Sequence, residues 1–387
     1  MRRFLLAAAL STLAQPAVAR PERRTVDELV SVAAQSAHPA VDATMRLNII
    51  ARLDDTADGP QLNAVIAVNP GALQAAGDLA QTGILKGRTV LVKDNIETRE
   101  LPTTAGSLAL KDNATGRDAP LIARLRAAGG VVLGKTNLSE WANIRSPNSS
   151  SGWSATGGQT KNPHATDRNS CGSSSGSGAA IAAGMAWAAI GTETDGSITC
   201  PASVNGIVGF KPTVGLVSRT HIVPISHSQD TAGPMAGSVK DAALVLSAIA
   251  GADPADAATL AATRHAGDFT QGLDTASLAG LRIGVLRKMA GSHAGVTRLF
   301  DQALADLKAG GAELVEIDYE PDSAMYRDEG LVLYYELKHD LGAYLRGLPG
   351  DPAVRSLADV IAFNRAHAAE ELRWFGQETF EKADKLD

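Results

Sequence analysis

Two turns built almost entirely from serine, glycine and threonine constrain this chain more than any other feature. The first is Cys171-Gly172-Ser173-Ser174-Ser175-Gly176-Ser177-Gly178, and the second is Gly191-Thr192-Glu193-Thr194-Asp195-Gly196-Ser197-Ile198. Between them, Gly176 to Gly184 reads as a helix of small residues, and Ala186 to Thr192 as a strand that runs into the second turn. With so little side-chain bulk, these segments must approach one another backbone to backbone. The wider composition agrees: 38 glycines and only 4% aromatic residues favour tight turns and close packing over aromatic platforms. Upstream, Arg88 to Val92 reads as a short strand whose far end presents Lys93.

The rest of the chain alternates. Helical periodicity covers Thr25 to Gln35 and Val41 to Leu53. Asn63 to Val68 reads as a strand, and Pro70 to Thr82 as an alanine-rich helix with proline in its first turn. Ala119 to Ala128 reads as a helix, Gly130 to Leu133 and Ile207 to Phe210 as strands, and Ser238 to Ala250 as a helix opened by a serine cap. Polar Ser139 to Asn169 reads as a loop that wraps a site. Later come a strand at Leu281 to Leu286, a helix at Val296 to Lys308, a strand at Ala312 to Ile317, and long helices at Leu331 to Leu345 and Ser356 to Glu381. Such alternation predicts an α/β fold with a mixed, mostly parallel central sheet covered by helices on both faces.

With 387 residues, 44% apolar and 20% charged, the chain is long enough for one large core. A net charge of −6 without any Lys/Arg run disfavours a nucleic-acid partner. Residues 1–19 read as a signal peptide: Arg2 and Arg3, then apolar Phe4 to Ala14, then Ala17-Val18-Ala19 as a cleavage site. That apolar run is too short to cross a bilayer. The expected mature chain, 20–387, therefore acts in the periplasm or is secreted, with no membrane attachment after cleavage. Cys171 and Cys200, the two cysteines, are expected as small buried free thiols; the alternative is a disulfide tying the two serine turns together. They have no histidine spacing suited to zinc, and no metal or other cofactor is expected.

Amide hydrolysis needs an attacking oxygen, a base for its proton, and donors for the developing oxyanion. Lys93, Ser173 and Ser197, with Gly158-Gln159-Thr160-Lys161-Asn162-Pro163, Gly209-Phe210-Lys211-Pro212-Thr213 and Asp230-Thr231-Ala232-Gly233-Pro234-Met235, resemble the signature of the amidase signature family of serine hydrolases. Leu138-Ser139-Glu140-Trp141-Ala142-Asn143, Ser151-Gly152-Trp153-Ser154-Ala155 and Glu193-Thr194-Asp195-Gly196 are similar to its bacterial peptide amidases. The resemblance implies Ser197 as nucleophile, Ser173 as a relay after a cis Gly172-Ser173 peptide, and Lys93 as base. It implies an oxyanion hole of the N–H groups of Thr194, Asp195, Gly196 and Ser197. Gly172 removes one Cβ that would crowd the cis turn. A lysine serves as base near neutral pH only if burial lowers its pKa from about 10.4. Ser175 and Ser177 are expected to satisfy turn backbone or cap the helix, and Ser174 either to do the same or to hydrogen-bond in the reaction.

Two other motif matches fail on physical grounds. Gly129-Gly130-Val131-Val132-Leu133-Gly134-Lys135-Thr136 fits a phosphate loop, but its middle reads as a strand. Gly172-Ser173-Ser174-Ser175-Gly176 fits a nucleophile elbow, but polar His164 to Ser170 before it lacks strand character. Asp230 and His265 are the available partners for that Ser-His-Asp alternative.

The chain departs from the family pattern at Asp195, where glycine is usual, and at Thr199, where arginine is usual. Asp195 either repels free carboxylates near the leaving group or stabilises its own turn. Members also usually continue well beyond the point where this chain stops, so a fragment or a trimmed fold with part of its sheet exposed is an expectation. The expected function is hydrolysis of the C-terminal carboxamide of a small peptide, with release of ammonia. The alternatives are a catalytically impaired fragment acting as a binding protein, and a glutaminase resembling the amidotransferase A-subunit.

Overall fold

A computed structural model describes residues 38–78 and 82–386. The expected leader, the helix over Thr25 to Gln35 and part of the one over Pro70 to Thr82 lie outside the described residues. The chain runs α1 (Pro39–Ile50), β1 (Val65–Val68), α2 (Ala72–Asp78), β2 (Thr89–Lys93), α3 (Pro120–Ala127) and β3 (Val131–Thr136). Two small ribbons follow, β4 (Trp153–Ser154) with β5 (Gly158–Gln159), and β6 (Lys161–Asn162) with β7 (Ala165–Asn169). Next come α4 (Ser175–Ala182), β8 (Ala188–Glu193), α5 (Thr199–Asn205), β9 (Val208–Gly209), β10 (Thr231–Ala236) and α6 (Val239–Ile249). The last part holds β11 (Arg282–Val285), α7 (Ala294–Ala309), β12 (Glu313–Glu316), α8 (Ser323–Arg346), α9 (Leu357–Ala366), α10 (Ala368–Glu371) and α11 (Glu378–Asp384).

Six strands form one mixed sheet in the order β1-β3-β2-β8-β10-β9. Its parallel pairings are the two central ones, β2 with β3 and β2 with β8; the flanking pairs are antiparallel. Strand β2 shows why both faces are covered. Its successive side chains alternate between faces. Val90 and Val92 pack with Leu121 and Leu125 of α3 and Val245 and Ile249 of α6. Leu91 packs on the other side with Ile49 of α1 and Ala179 and Ala180 of α4. A strand buried on both faces reads as an unbroken apolar run, as Val90-Leu91-Val92 does. Lys93 extends that run and is buried with it.

Several expectations are corrected. Ser139 to Asn169 is not a plain loop: it contains both ribbons and a short turn in which Trp141, Ala142 and Asn143 all have positive φ. The residues before Ser173 include the strand β7, although it is an exposed ribbon strand and not part of the central sheet. Strand β10 carries no strong local signal, because Gly233 and Pro234 are poor strand formers; its pairing with β8, Thr231 opposite Glu193 through Ala236 opposite Ala188, creates it. Among the described residues, β11 and β12 pair with each other in parallel, apart from the main sheet.

The expected long helix over Ser356 to Glu381 is broken into α9, α10 and α11. The breaks let Glu371 turn inward. Its Oε1 accepts hydrogen bonds from Ser107 Oγ at 2.9 Å and the Leu108 N–H at 2.7 Å. Its Oε2 lies 3.5 Å from Arg145 Nη1, which also pairs with Glu140. The Arg145 guanidinium lies 4.2 Å from the Phe375 ring centre. All three charged groups are buried, and burial, followed by the Glu371 charge, pushes the Glu140 carboxyl well up. Removing the cation would strand two buried carboxyls. Arg145→Ala is expected to lower unfolding free energy by about 3–5 kcal/mol in denaturant titrations at neutral pH.

Candidate active site

The site lies where β2 and β8, neighbours in the sheet, reach their C-terminal ends. Lys93 Nζ is 2.8 Å from Ser173 Oγ, 2.8 Å from Thr192 Oγ1 and 3.2 Å from the Thr192 carbonyl oxygen. Asn95 Nδ2 donates to the same Thr192 hydroxyl at 2.9 Å. A neutral amine has two hydrogens and one lone pair, which matches three partners: two hydrogens toward the Thr192 oxygens and the lone pair toward the Ser173 O–H. Burial lowers the Lys93 pKa to about 7, against the opposing charges of Asp230 and Glu193.

The serine turns are locked to the sheet and to each other. The Gly172-Ser173 peptide is cis. The Ser174 N–H donates to the Ser197 carbonyl at 3.1 Å. Ser174 Oγ donates to the Thr192 carbonyl at 3.1 Å and accepts from the Thr192 N–H at 3.2 Å, so it fastens α4 to β8. Ser177 Oγ lies 2.7 Å from Thr136 Oγ1 and donates to the Ile190 carbonyl at 3.3 Å, while Ser175 Oγ lies 3.5 Å from Ser139 Oγ. These serines fasten the helix rather than cap it. Gly176 is required by contact: a Cβ there would lie 2.2 Å from the Ala64 carbonyl oxygen.

Cys171 and Cys200 are joined in a disulfide, which corrects the expectation of free thiols. The bridge ties the residue before the cis peptide to the first turn of α5, immediately after Ser197. Folding brings the two Cα atoms to 6.0 Å, a spacing at which a disulfide closes without moving the backbone.

Glu193 organises the second turn. Its buried carboxylate accepts from the Ile198 N–H at 2.7 Å and the Thr199 N–H at 2.9 Å, spanning the turn and the start of α5. Thr194 is held from two sides: its hydroxyl donates to Asp230 Oδ1 at 2.6 Å, and Lys211 Nζ donates to its carbonyl. Asp230 Oδ2 accepts from the Ile225 and Ser226 N–H groups at 2.7 and 2.9 Å. Gly196 adopts φ +80°, which glycine takes readily. Among the described residues, the N–H groups of Thr194, Asp195, Gly196 and Ser197 donate to no acceptor, and the Ser197 hydroxyl has no partner. The Asp195 side chain is exposed and makes no hydrogen bond among the described residues, so Glu193, not Asp195, holds the turn. A cavity of about 720 Å³ opens here, with Asn95, Thr192, Thr194, Ile225, Asp230 and Tyr344 in its walls.

The structure thus brings Lys93, Ser173 and the main chain of Ser197 together, with no hydrogen bond between the two serine hydroxyls. Thr192, Asn95, Glu193 and Lys211 were not assigned roles from sequence, and Asp230 only as a partner in the Ser-His-Asp alternative. Glu193, Lys211 and Asp230 sit inside family motifs, but a motif does not say which atom its side chain meets. The phosphate-loop match is excluded as expected: Gly134-Lys135-Thr136 is buried strand, and Lys135 pairs with Asp94 at 2.8 Å. The Ser-His-Asp alternative also fails, because His265 is exposed and the Asp230 carboxylate is engaged by Thr194, Ile225 and Ser226. Among the described residues, the one cluster with metal-ligand spacing is His227, Glu336 and Asp340, and His227 and Asp340 also line this cavity.

Comparison with known proteins gives one consistent picture. The profile of a family described as Amidase matches residues 49–382. A probable amidase of Arabidopsis thaliana is 44% identical over 343 residues, 84% of this chain and 65% of that protein. The chain therefore spans about two thirds of that relative's length. The crystal structure of native peptide amidase from Stenotrophomonas maltophilia superposes with a TM-score of 0.87 at 48% identity, covering 95% of this chain and 76% of that one. The A-subunit of the Thermotoga maritima glutamyl-tRNA(Gln) amidotransferase superposes with a TM-score of 0.65 at 30% identity, covering 94% and 74%.

Two outcomes follow for stability. The Lys93 pKa is lowered on folding, so between about pH 7 and 10.5 the unfolded chain binds more protons at this residue and stability rises with pH. Lys93→Met is expected to lose that part of the slope, measured by denaturant unfolding across this range. Replacing both cysteines by serine is expected to cost about 2–4 kcal/mol by the same measurement.

Proposed function

Because the chain belongs to the amidase family, we propose that it hydrolyses carboxamides, specifically the C-terminal amide of peptides, and releases ammonia. The observation that carries this reading is the buried Lys93 amine, 2.8 Å from Ser173 on a turn hydrogen-bonded to the main chain of Ser197. In the proposed reaction, neutral Lys93 takes the Ser173 proton while Ser173 takes the Ser197 proton. Ser197 Oγ attacks the carboxamide carbon. The oxyanion is received by the N–H groups of the 194–197 turn, which have no internal acceptors; one such donor is typically worth about 3–4 kcal/mol of barrier. Collapse expels the amide nitrogen as ammonia, with the proton returned along the same path, and water then hydrolyses the Ser197 ester.

Similarity of 48% to a peptide amidase supports the peptide amide as substrate. A glutaminase reading draws on the 41% identity to the A-subunit of a Thermus thermophilus amidotransferase, which covers 67% of this chain. The peptide amidase is the more similar in both identity and superposition than the amidotransferase structure. A site of action outside the cytoplasm is supported by the leader-like residues 1–19 alone.

Ammonia release from an N-acylated peptide amide tests the proposal. Activity is expected without any partner or tRNA, and to fall by about 10²–10⁴-fold in Lys93→Ala. The rate is expected to rise with pH through about 7 as Lys93 loses its proton. Activity that survives Lys93→Ala, or that appears only with tRNA and a partner protein, would overturn it.

A further inference from the structure

The cavity beside the proposed active site carries several polar side chains that the reaction does not use; Arg219 and Asp256 engage each other there, as do His227 and Asp340. Arg117 and His221 both line it. One residue, Glu97, places both. Its buried carboxylate accepts from Arg117 Nε at 2.6 Å and Nη2 at 3.1 Å, and its N–H donates to the His221 carbonyl at 3.1 Å. Tyr344 of α8 closes the group by donating to the same carboxylate at 3.0 Å. Arg117 Nη1 and the whole His221 imidazole are left without a hydrogen-bond partner among the described residues. Both groups are only partly exposed.

The backbone at His221 is a second, independent observation. Its φ is +63°, in the left-handed region that non-glycine residues seldom occupy. Such conformations persist where surrounding contacts over-determine them, and they gather at ligand sites. Here the contacts are visible. The Glu97 N–H holds the His221 carbonyl, Ile222 bridges to Ile96, and the Val223 N–H donates to the Asn95 carbonyl at 2.8 Å. The segment 221–223 is therefore stitched to 95–97, the stretch that follows Lys93 directly. Four residues of chain span at most about 14 Å. Glu97, which holds both groups, thus stands within that distance of Lys93.

We propose that Arg117 and His221 form a subsite that binds a main-chain carbonyl oxygen of the acyl part of a peptide amide, upstream of the amide that is cleaved. Two unpaired donors lining one mostly apolar cavity suit an acceptor oxygen. The acceptor is neutral, because Glu97 already balances the Arg117 charge. Burial, and then the Arg117 charge, lower the His221 pKa, which keeps the imidazole neutral and able to donate one N–H. His221 is then a specificity-determining residue, and peptide amides with an acyl carbonyl are preferred over free amino-acid amides. The inference rests on the hydrolase reading only in taking a peptide as its ligand.

The test uses the full chain and two ligands, leucine amide and N-acetyl-alanyl-leucine amide. His221→Gly removes the imidazole and still permits φ +63°. In this variant, kcat/KM for the acylated substrate is expected to fall roughly 5- to 10-fold, the worth of one neutral hydrogen bond, mainly through KM. Leucine amide is expected to stay within about twofold, and His221→Asn, which tolerates the left-handed backbone and restores an N–H donor, to recover part of the loss. Calorimetric binding of both ligands to Ser197→Ala, with and without His221→Gly, gives a readout free of turnover. An equal change for both ligands, or none for either, overturns the subsite. Failure of the wild type to release ammonia while the calorimetric difference persists overturns the hydrolase reading and leaves the subsite standing.

Discussion

Everything in this site depends on keeping one amine out of water. Lys93 is the last residue of a strand buried on both faces, and neither face offers it a carboxylate within ion-pair distance. Burial of an ammonium without a paired counter-charge is costly, so the amine loses its affinity for a proton and its pKa falls to about 7. The contrast with Lys135 on the adjacent strand is instructive. That lysine is equally buried, but Asp94 lies 2.8 Å away. Burial still lowers its pKa, opposed first by that aspartate. Two lysines at neighbouring strand ends thus differ in what they meet: three neutral oxygens in one case, a carboxylate in the other.

Close approach is the second constraint, and it accounts for the serine and glycine content. For Lys93 to touch Ser173, α4 must lie directly on the sheet, which Gly176 and the alanines of α4 permit. Hydroxyls of Ser174 and Ser177 then bond to β8 and β3 as well as being small. The disulfide, the Ser174–Ser197 main-chain bond and the Glu193 carboxylate add further ties between the same two turns. With these ties in place, the four N–H groups of the 194–197 turn donate to no acceptor among the described residues. In the proposed reaction, such donors would need no reorganisation when charge appears.

The C-terminal helices serve the same end from farther away. Glu371 of α10 engages Arg145 and the Ser107 turn, and α8 carries Tyr344 to Glu97. Trp141 packs edge-on against Phe380 of α11 at 5.9 Å between ring centres. The Ser139 N–H in this same segment donates to the Ser173 carbonyl at 3.0 Å, so the packing of the last helices is continuous with the Ser173 turn.

Much was legible in the residues alone. The apolar run before Lys93, the small-residue helix after Ser173 and the strand before Ser197 each carry a local signal, because strand burial and helix periodicity leave regular marks on a sequence. The serine and glycine pattern also identified the turns that meet. What remained hidden depended on partners distant in the chain. Strand β10 exists because β8 pairs with it, despite Gly233 and Pro234. The helix expected over Ser356 to Glu381 breaks so that Glu371 can reach Arg145. Cys171 and Cys200 pair because folding sets their Cα atoms 6.0 Å apart. Glu193 rather than Asp195 holds the turn, and Asp230 reaches Thr194, through contacts that no spacing reveals. Sequence therefore determined which residue types were available and where the chain could bend. Tertiary structure alone decided which charge met which oxygen, since electrostatic and hydrogen-bond energies depend on distances of a few ångströms that only the packed chain defines.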